Sequence, residues 1–336
     1  MLPRLIANGP AEAKAKRVPS SKVLFVTSNR IGDCVISSGI IREIGRQVPG
    51  AGITVACGRP PAPFFRSAPG VERVIVLDKK KAAGHWLDLW RQVVGTHWAL
   101  VIDIRGSALA YTLRADRRVV YNRRWETGLA KVEMVSRLMG SATPLEPELF
   151  IDDRSRAEAA AVIDPQLATA PGPVIALAPI AHQPGKSWPA DRWGALVDLL
   201  KAEPRFAGWR FMLVGGPGDH APAAPALRAA GEQGIDFVGR GDILASAAAI
   251  ERAALFVGND SGLMHVAAAA GKPTLGLFGP TEWWLYGPRG PRTAMAASNP
   301  VRGEFAPIEA LGIDRVFEAV IALHDHWIGA ADPAKP

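Results

Sequence analysis

The segment FVGNDSGLMHVAAAAGKPTLGLFGP, residues 256–280, places a short apolar run on each side of an alanine-rich helical pattern. Apolar runs that flank a helix are typical of strands buried on both faces of a parallel sheet. Gly271 and Pro273 follow the helical pattern, as glycine and proline commonly do at the end of a helix. The segment therefore predicts a strand–helix–strand unit of an α/β fold, with a polar turn directly after its first strand.

The same alternation of strand and helix extends along the rest of the chain. Further apolar runs with strand character occupy residues 22–27, 53–57, 73–77, 98–103, 174–179 and 210–216. Helical patterns lie between them, including one over 33–48 in which Ile36, Ile40, Ile44 and Val48 recur every fourth residue. We expect two doubly wound, Rossmann-like α/β domains that face each other across a cleft.

Composition places the domain boundaries. Residues 164–173 are small, proline-rich and without period, which indicates a linker. The predicted segments are a flexible leader (1–20), an N-terminal domain (21–165), a linker (166–173), a C-terminal domain (174–305), a C-terminal helix (306–328) and a disordered tail (329–336).

Length and composition exclude several classes of protein. The chain has 336 residues, 48% of them apolar and 21% charged, which is the balance of a globular protein with more than one core. No apolar run approaches the ~18 residues of a spanning helix, and the N-terminus lacks the order of a secretory signal. Cys34 and Cys57 lie in apolar segments without metal-ligand spacing. We expect a cytoplasmic protein with neither a disulfide nor a metal site.

The net charge of +7 is concentrated in the first half of the chain. Residues 1–165 contain 25 Lys and Arg against 16 Asp and Glu, or +9, out of totals of 39 and 32; the remainder has 14 against 16, or −2. Such asymmetry indicates an anionic partner, which at this point could be a nucleic acid, a membrane surface or a phosphorylated substrate. A basic face that only contacts water is the simpler alternative.

Polar, glycine-bearing loops follow several of the predicted strands, where ligands bind in open α/β sheets. In SNRIGDC (28–34), Asp33 begins a predicted helix and fits either a general base or a helix N-cap. In PIAHQPGKSWP (179–189), Lys186 precedes a helix whose free N–H groups favour anions, so it fits a phosphate contact or a solvated lysine. In GGPGDH (215–220), Asp219 fits a contact with a ribose hydroxyl.

The turn GNDSG (258–262) opens the helix of the first segment described above. Asp260 and Ser261 fit helix capping, Gly262 allows close approach of a ligand, and His265 lies one turn further on the same face as Ser261. Together they predict an anion site with side-chain support, although a histidine satisfied within the core remains an alternative for His265.

The loops also resemble a known family. SNRIGD, GKSWPADRW, LVGGPGD and above all FVGNDSGLMHVAAAAGKPTLGLFGPT are similar to the motifs of the heptosyltransferases, glycosyltransferase family 9, in the same order over most of residues 22–287. The resemblance implies a GT-B fold and the transfer of a sugar, typically heptose from ADP-heptose, to the lipopolysaccharide core, with inversion and without a metal or cofactor.

The resemblance also implies roles for the loop residues. Asp33 would deprotonate the acceptor hydroxyl, and Lys186 with Ser261 and Gly262 would hold the donor diphosphate. Asp260 and His265 would contact the donor sugar or phosphate, and Asp219 would meet the ribose. Donors placed in advance can stabilise the leaving diphosphate in place of a metal.

The basic half of the chain then has an expected partner, an anionic glycolipid acceptor. Its predicted contacts are Arg105, Arg114, Arg117, Arg118, Arg123 and Arg124. Such a patch also predicts peripheral attachment to the inner face of the bacterial inner membrane. Nucleic acid is not expected, because no recognised binding module accompanies the charge.

Three departures from the family pattern bear on the donor. The loop PIAHQPGK replaces a usual Pro-Gly-Ala start, the helix after Asp33 lacks a common proline, and the C-terminal cysteines are absent from NPVRGEFAPIEALG. A transferase of the same fold with another nucleotide-sugar, or a catalytically silent binder of a nucleotide-sugar or glycolipid, are the alternatives; Asp33 and Lys186 argue against the silent binder. A nicotinamide oxidoreductase is disfavoured because TSNRIGDC supplies no G-x-G-x-x-G turn.

Overall fold

A computed structural model describes residues 21–79, 81–122 and 128–329, without the side chain of residue 82. The strands are β1 (Lys22–Val26), β2 (Gly52–Cys57), β3 (Val71–Val76), β4 (His97–Asp103), β5 (Arg114–Val120), β6 (Val174–Ala178), β7 (Arg210–Gly215), β8 (Gly234–Val238), β9 (Leu255–Asn259), β10 (Thr274–Phe278) and β11 (Thr293–Ala297). They form two sheets of parallel strands, one in each half of the chain.

Helices cover both sheets. They are α1 (Ile31–Ile36), α2 (Ile40–Gln47), α3 (Gly84–Val93), α4 (Lys131–Leu138), α5 (Asp153–Thr169), α6 (Ala190–Ala202), α7 (His220–Ala230), α8 (Ile243–Glu251), α9 (Gly262–Ala269), α10 (Trp283–Tyr286) and α11 (Ile313–Trp327). Within the described ranges, no helix combines the length and the apolar character needed to cross a membrane.

The N-terminal sheet has the strand order β3-β2-β1-β4-β5. Its central strand β1 is buried on both faces: Phe25 packs with Ile44 of α2 on one side, and Leu24 packs with Leu89 of α3 on the other. The order reverses between β1 and β4, so the loops that follow these two strands open at the same edge of the sheet. The first loop leads into α1, whose first turn carries Asp33, and the second loop carries Arg105.

The C-terminal sheet has the order β11-β10-β9-β6-β7-β8. Every residue of β6, β9 and β10 is buried, as the continuous apolar runs predict. Here the order reverses between β6 and β9, whose following loops carry Lys186 and Asp260. The predicted pair of doubly wound domains is therefore confirmed, and each sheet brings two of the predicted loops together.

The single helix predicted over 33–48 is wrong, because two helices replace it. α1 ends at Ile36 and α2 begins at Ile40. Between them, the hydroxyls of Ser37 and Ser38 donate to the carbonyls of Cys34 and Val35. Hydroxyl side chains compete in this way with the regular helical ladder. Apolar residues recur every fourth position on both sides of the break. The sequence pattern therefore does not reveal that the helix is interrupted.

A Cβ on Gly39, at the same break, would lie 2.5 Å from the carbonyl oxygen of Glu146. Only glycine lets the chain approach so closely at this point. The break between α1 and α2 is therefore held by contact with the segment that leads toward the second domain.

The linker predicted over 166–173 is wrong in its first half, since α5 continues to Thr169 and includes Pro165. Ala159 and Ile163 of α5 are fully buried in the core of the C-terminal domain. The guanidinium of Arg210 donates to the carbonyls of Gln166 and Ala170, which supports the end of the helix. Tertiary contacts thus override the local composition. The predicted leader and residues 330–336 of the predicted tail lie outside the described residues.

Candidate active site

The two domains meet where α1 and α9 begin, and two glycines permit the contact. A Cβ on Gly32 would lie 2.8 Å from the Cδ2 atom of His265, and one on Gly262 would lie 2.6 Å from the side chain of Ile31. Such separations are shorter than van der Waals contact, so a larger residue at either position displaces its neighbour. The contact brings the turn after β1 beside the turn after β9, in one cleft.

Asp33 lies in the first turn of α1 and accepts a hydrogen bond of 3.0 Å from the Ser28 hydroxyl. The N-cap of α1 is Arg30, so the alternative in which Asp33 caps the helix is wrong. The Asp33 side chain lines a cavity of about 340 Å³ with Arg105 and Lys131. A carboxylate at the wall of a basic cavity is suitably placed to accept a proton from a bound hydroxyl.

Lys186 and Asp260 form a buried ion pair. The Nζ atom of Lys186 lies 2.6 Å from the Oδ2 atom of Asp260, and the two side chains are 15% and 6% exposed. The Thr281 hydroxyl donates to the same oxygen over 2.8 Å. The alternative of a solvated Lys186 is therefore wrong. The carboxylate holds the ammonium group near the N-terminus of α9. The remaining N–H donors of the lysine can bind an anion there.

His265 is buried and packs against the backbone at Gly32. Its pKa is lowered because burial disfavours the imidazolium form, and the nearby Lys186 acts in the same direction. Asp260 and Asp33 act in the opposite direction without reversing the shift. His265 is thus a neutral ring at the junction of the two domains. It is buried, as the core alternative predicts, and it also lies beside the other site residues.

Ser261 is the N-cap of α9, but its side chain makes no capping hydrogen bond to the helix. Its Oγ atom is buried and has no hydrogen-bond partner within the described part of the chain. Ser261 and Gly262 line a second cavity of about 800 Å³. A buried hydroxyl without a partner is rare, since it costs free energy. At a helix N-terminus, such a group is suited to an anionic ligand.

Comparison with known proteins agrees with this geometry. The family model for glycosyltransferase family 9 (heptosyltransferase) matches residues 102–302. The chain belongs to glycosyltransferase family 9. The family resemblance seen in the motifs is confirmed, and the protein is a glycosyltransferase.

Several relatives of this family 9 glycosyltransferase share about a fifth to a quarter of their residues with it. It is 22% identical to lipooligosaccharide heptosyltransferase 2 of Haemophilus influenzae over 77% of its own length and 84% of that protein. The crystal structure of a family 9 glycosyltransferase from Veillonella parvula has a TM-score of 0.78 at 19% identity, covering 92% of this chain and 99% of that one.

A second solved structure is E. coli ADP-heptose lps heptosyltransferase II. It has a TM-score of 0.71 at 21% identity, and the match covers 90% of this chain and 98% of that one. At these identities, both structures establish the shared two-domain fold of the glycosyltransferase.

The larger cavity of the glycosyltransferase lies between its domains. Arg59 and Arg66 contribute to the cavity from the N-terminal domain, and Gly215, Gly216 and Asp219 from the C-terminal domain. Asp219 accepts a hydrogen bond of 2.7 Å from the Gly216 amide, so one carboxylate oxygen stabilises the glycine turn. Its other oxygen lies 3.5 Å from His182 Nε2. The ribose contact of Asp219 stays a prediction.

The four predicted acceptor arginines that the structure describes do not all lie on one surface. Arg105 lies beside Asp33, where it donates to Asn29 over 3.1 Å and stacks on Trp86. The Arg118 guanidinium instead donates to backbone carbonyls of residues 110, 113 and 115, which makes it a structural residue of strand β5. Arg118 is nevertheless exposed, so its contact with the acceptor stays a prediction.

The other predicted arginines lie elsewhere. Arg117 is on the opposite face of β5 from Arg118 and donates to Gln47. Arg114 is exposed at the start of the strand. Arg123 and Arg124 lie outside the described residues. Because side chains alternate across a strand, closeness in sequence did not place these arginines together.

Tyr286 and Lys131 are site residues that motif reasoning missed. The centroid of the Tyr286 ring lies 5.7 Å from Lys131 Nζ and 5.9 Å from Lys186 Nζ. Burial raises the pKa of Tyr286, and the charges of Asp33 and Glu282 raise it further, so the phenol stays neutral. The sequence contains no periodic signal for this position, since α10 is only four residues long.

Proposed function

We propose that this glycosyltransferase moves heptose from ADP-heptose to a hydroxyl of a lipopolysaccharide-core glycolipid, with inversion and without a metal. One observation carries the proposal: α1 packs against α9, so that His265 of one domain feels the charge of Asp33 of the other domain together with the charges of Asp260 and Lys186. A carboxylate then faces an anion site across a single cleft, as a direct displacement requires. Its relatives are a lipooligosaccharide heptosyltransferase and an ADP-heptose lps heptosyltransferase, which support heptose as the sugar and lipopolysaccharide as the acceptor class.

In the proposed reaction, Asp33 takes the proton of the acceptor hydroxyl as its oxygen forms a bond to the anomeric carbon of the donor. The bond from that carbon to the diphosphate oxygen breaks, and its electron pair leaves with the diphosphate. Attack from the side opposite the leaving group inverts the anomeric centre. Asp33 lines the smaller cavity with Arg105 and Lys131, so the acceptor enters from the N-terminal domain.

The leaving diphosphate gains negative charge, and the C-terminal domain supplies the groups that stabilise it. Lys186 contributes a cation held by Asp260, and Ser261 contributes a hydroxyl without another partner. Free N–H groups at the start of α9 add to these donors. Neutral His265 packs behind them and does not compete with Lys186 as a second cation. The nucleoside occupies the larger cavity in this proposal, near Asp219.

The anionic acceptor reaches the protein from the cytoplasmic face of the inner membrane in this proposal. Exposed apolar side chains lie on the N-terminal domain near Arg105: Leu87 and Trp90 share one face of α3, and Tyr111 is 69% exposed. Lys79 and Lys81 precede α3 in the sequence, and Arg91 lies in its last turn. Aromatic and cationic side chains together suit the headgroup region of an anionic leaflet.

The chemical part of the proposal is tested with Asp33→Asn. We expect turnover with ADP-heptose and heptose-deficient lipopolysaccharide to fall by about 10²–10⁴-fold, the usual contribution of a general base. The matched control is Asp314→Asn, an exposed aspartate in the first turn of α11. Equal turnover in wild type and Asp33→Asn removes Asp33 from the base role.

The donor is tested with a panel of nucleotide-sugars, following release of nucleoside diphosphate with and without acceptor. Acceptor-dependent release from ADP-heptose alone supports the proposed donor. Release from another nucleotide-sugar would assign a different donor to the same fold, and binding of donors without release would favour a silent binder.

A further inference from the structure

A third cavity, of about 600 Å³, lies in the seam between the domains and is distinct from the two cavities described above. Val132 and Glu146 contribute to it from the N-terminal domain; Trp283, Trp284, Arg289 and Met295 contribute from the C-terminal domain. Its volume falls within the range of about 300–1,000 Å³ that is usual for ligand sites. We call this the seam cavity.

The lining of the seam cavity combines aromatic rings with hydrogen-bonding groups. The two indoles meet edge to face, with ring centroids 5.6 Å apart. The Trp283 Nε1 atom is buried and has no partner among the described residues. Buried indole N–H groups usually find a partner, so this donor is an unusual one. Glu146 and Arg289 add an acceptor and a planar set of donors.

An exposed apolar surface continues from the seam cavity. Phe305, 54% exposed, lies against Trp284 with ring centroids 6.1 Å apart, and the guanidinium of Arg302 lies 5.6 Å from the Trp284 ring. Large exposed apolar side chains that adjoin a cavity mark binding surfaces more often than bare surface. Aromatic rings flanked by charged groups suit a sugar, which presents apolar C–H faces and hydroxyls together.

Two helices, α4 and α10, contribute residues both to the seam cavity and to the reaction centre. Helix α4 presents Lys131 and Met134 to the cavity that holds Asp33, and Val132 to the seam cavity. Helix α10 places Tyr286 over Lys186 and places Trp283 in the seam cavity. An acceptor whose hydroxyl lies at Asp33 therefore has the seam cavity on the far side of one short helix.

We propose that the seam cavity binds a sugar residue of the acceptor that is remote from the attacking hydroxyl. The inference rests on the proposed function, because it takes the acceptor to be an oligosaccharide. Binding of a remote sugar lowers the concentration of acceptor needed and orients the reactive end. Trp284 and Glu146 are then residues that select for extended acceptors.

The inference is tested by titrating the full chain with delipidated core oligosaccharide from heptose-deficient lipopolysaccharide and following tryptophan fluorescence. Trp284→Ala is expected to weaken binding by about 3- to 10-fold, the effect of one lost aromatic contact. Trp284→Phe, which keeps a ring, should restore most of the affinity. Trp327→Ala is the matched control, since Trp327 also stacks on an arginine but lies on α11.

A kinetic arm separates this inference from the proposed function. Trp284→Ala and Glu146→Gln should raise the KM of the extended acceptor by about 3- to 10-fold. The KM of ADP-heptose and the KM of a simple glycoside of the accepting sugar should stay at wild-type values. Glu146 is exposed, so Glu146→Gln keeps the test independent of folding.

The two proposals fail in different ways. Transfer by wild type to the simple glycoside, with equal changes of KM for both acceptors in Trp284→Ala, overturns the seam site and leaves the proposed function intact. Absence of transfer to either acceptor counts against the proposed function, and the fluorescence titration still decides the seam site. Wild-type oligosaccharide affinity in Trp284→Ala overturns the seam site by itself.

Discussion

Replacing Lys186 by methionine removes the positive end of the ion pair with Asp260 and keeps most of the length of the side chain. The Asp260 carboxylate then stays 6% exposed, with the Thr281 hydroxyl as a donor. Breaking a buried pair costs about 3–5 kcal/mol of stability, because the remaining charge is buried without compensation. Since Thr281 still donates and Lys186 is 15% exposed, we expect a loss of about 3 kcal/mol.

The catalytic effect of Lys186→Met is separate from its effect on stability. Loss of one donor to the leaving diphosphate raises the barrier by about 2.7–4 kcal/mol, or about 10²–10³-fold in turnover. A second change, Asp260→Asn, removes the unpaired charge at nearly constant volume. We therefore expect the double variant to recover stability to within about 1 kcal/mol of wild type and to keep the reduced turnover of Lys186→Met.

Two measurements check this expectation on the same four proteins: wild type, each single variant and the double variant. Urea unfolding gives the free energy of unfolding, and release of ADP from ADP-heptose gives turnover. Wild-type stability in Lys186→Met would refute the penalty for an unpaired charge. Recovery of turnover in the double variant would refute the role of the lysine in stabilising the leaving group.

Other residues of the site give further expectations. Gly32→Ala forces a methyl group against His265, so we expect it to be less stable than Gly45→Ala, which meets nothing within 4 Å on helix α2 and should gain about 0.5–1 kcal/mol; equal thermal midpoints would contradict the close approach. Burial lowers the pKa of His265, so the unfolded chain takes up its proton first as the pH falls. The stability that this provides is complete above about pH 6.5 and declines below it, and thermal unfolding of His265→Asn between pH 5 and 8 should lose that part of the slope. Ser261→Ala removes a buried hydroxyl without a partner, so stability should stay within about 0.5 kcal/mol of wild type while turnover falls about 10-fold or more; unchanged turnover would exclude a contact with the diphosphate.

The chemistry of the loops could be predicted because parallel sheets place ligands at the carboxyl ends of strands. Asp33, Lys186, Asp260 and Ser261 each follow a recognisable apolar strand, and the structure brings all of them to the cleft. The acceptor arginines were harder to predict. Arg118 belongs to an edge strand and donates to the backbone carbonyls of Ala110 and Leu113. These hydrogen bonds depend on the turn at residues 108–112, which the arginine cluster in the sequence does not indicate.

The remaining parts of the site depend on contacts between the domains. Tyr286 and Trp283 lie on the four-residue helix α10, which is too short for any periodic pattern. Their roles follow from the position of α4, which the sequence places far away. The break at Gly39 and the extension of α5 through Pro165 have the same origin, since packing against distant segments overrode local preference.

By itself, the sequence determined two doubly wound α/β domains, the family and the residues that follow the central strands, because buried strands and glycine-bearing turns leave strong local patterns. Only the tertiary structure decided which of these residues touch. The ion pair of Lys186 with Asp260, the close packing of Gly32 on His265 and the seam cavity all join segments that are distant along the chain. Such contacts depend on how two sheets and their helices pack. The pattern of side chains along one segment does not indicate which distant segment it contacts.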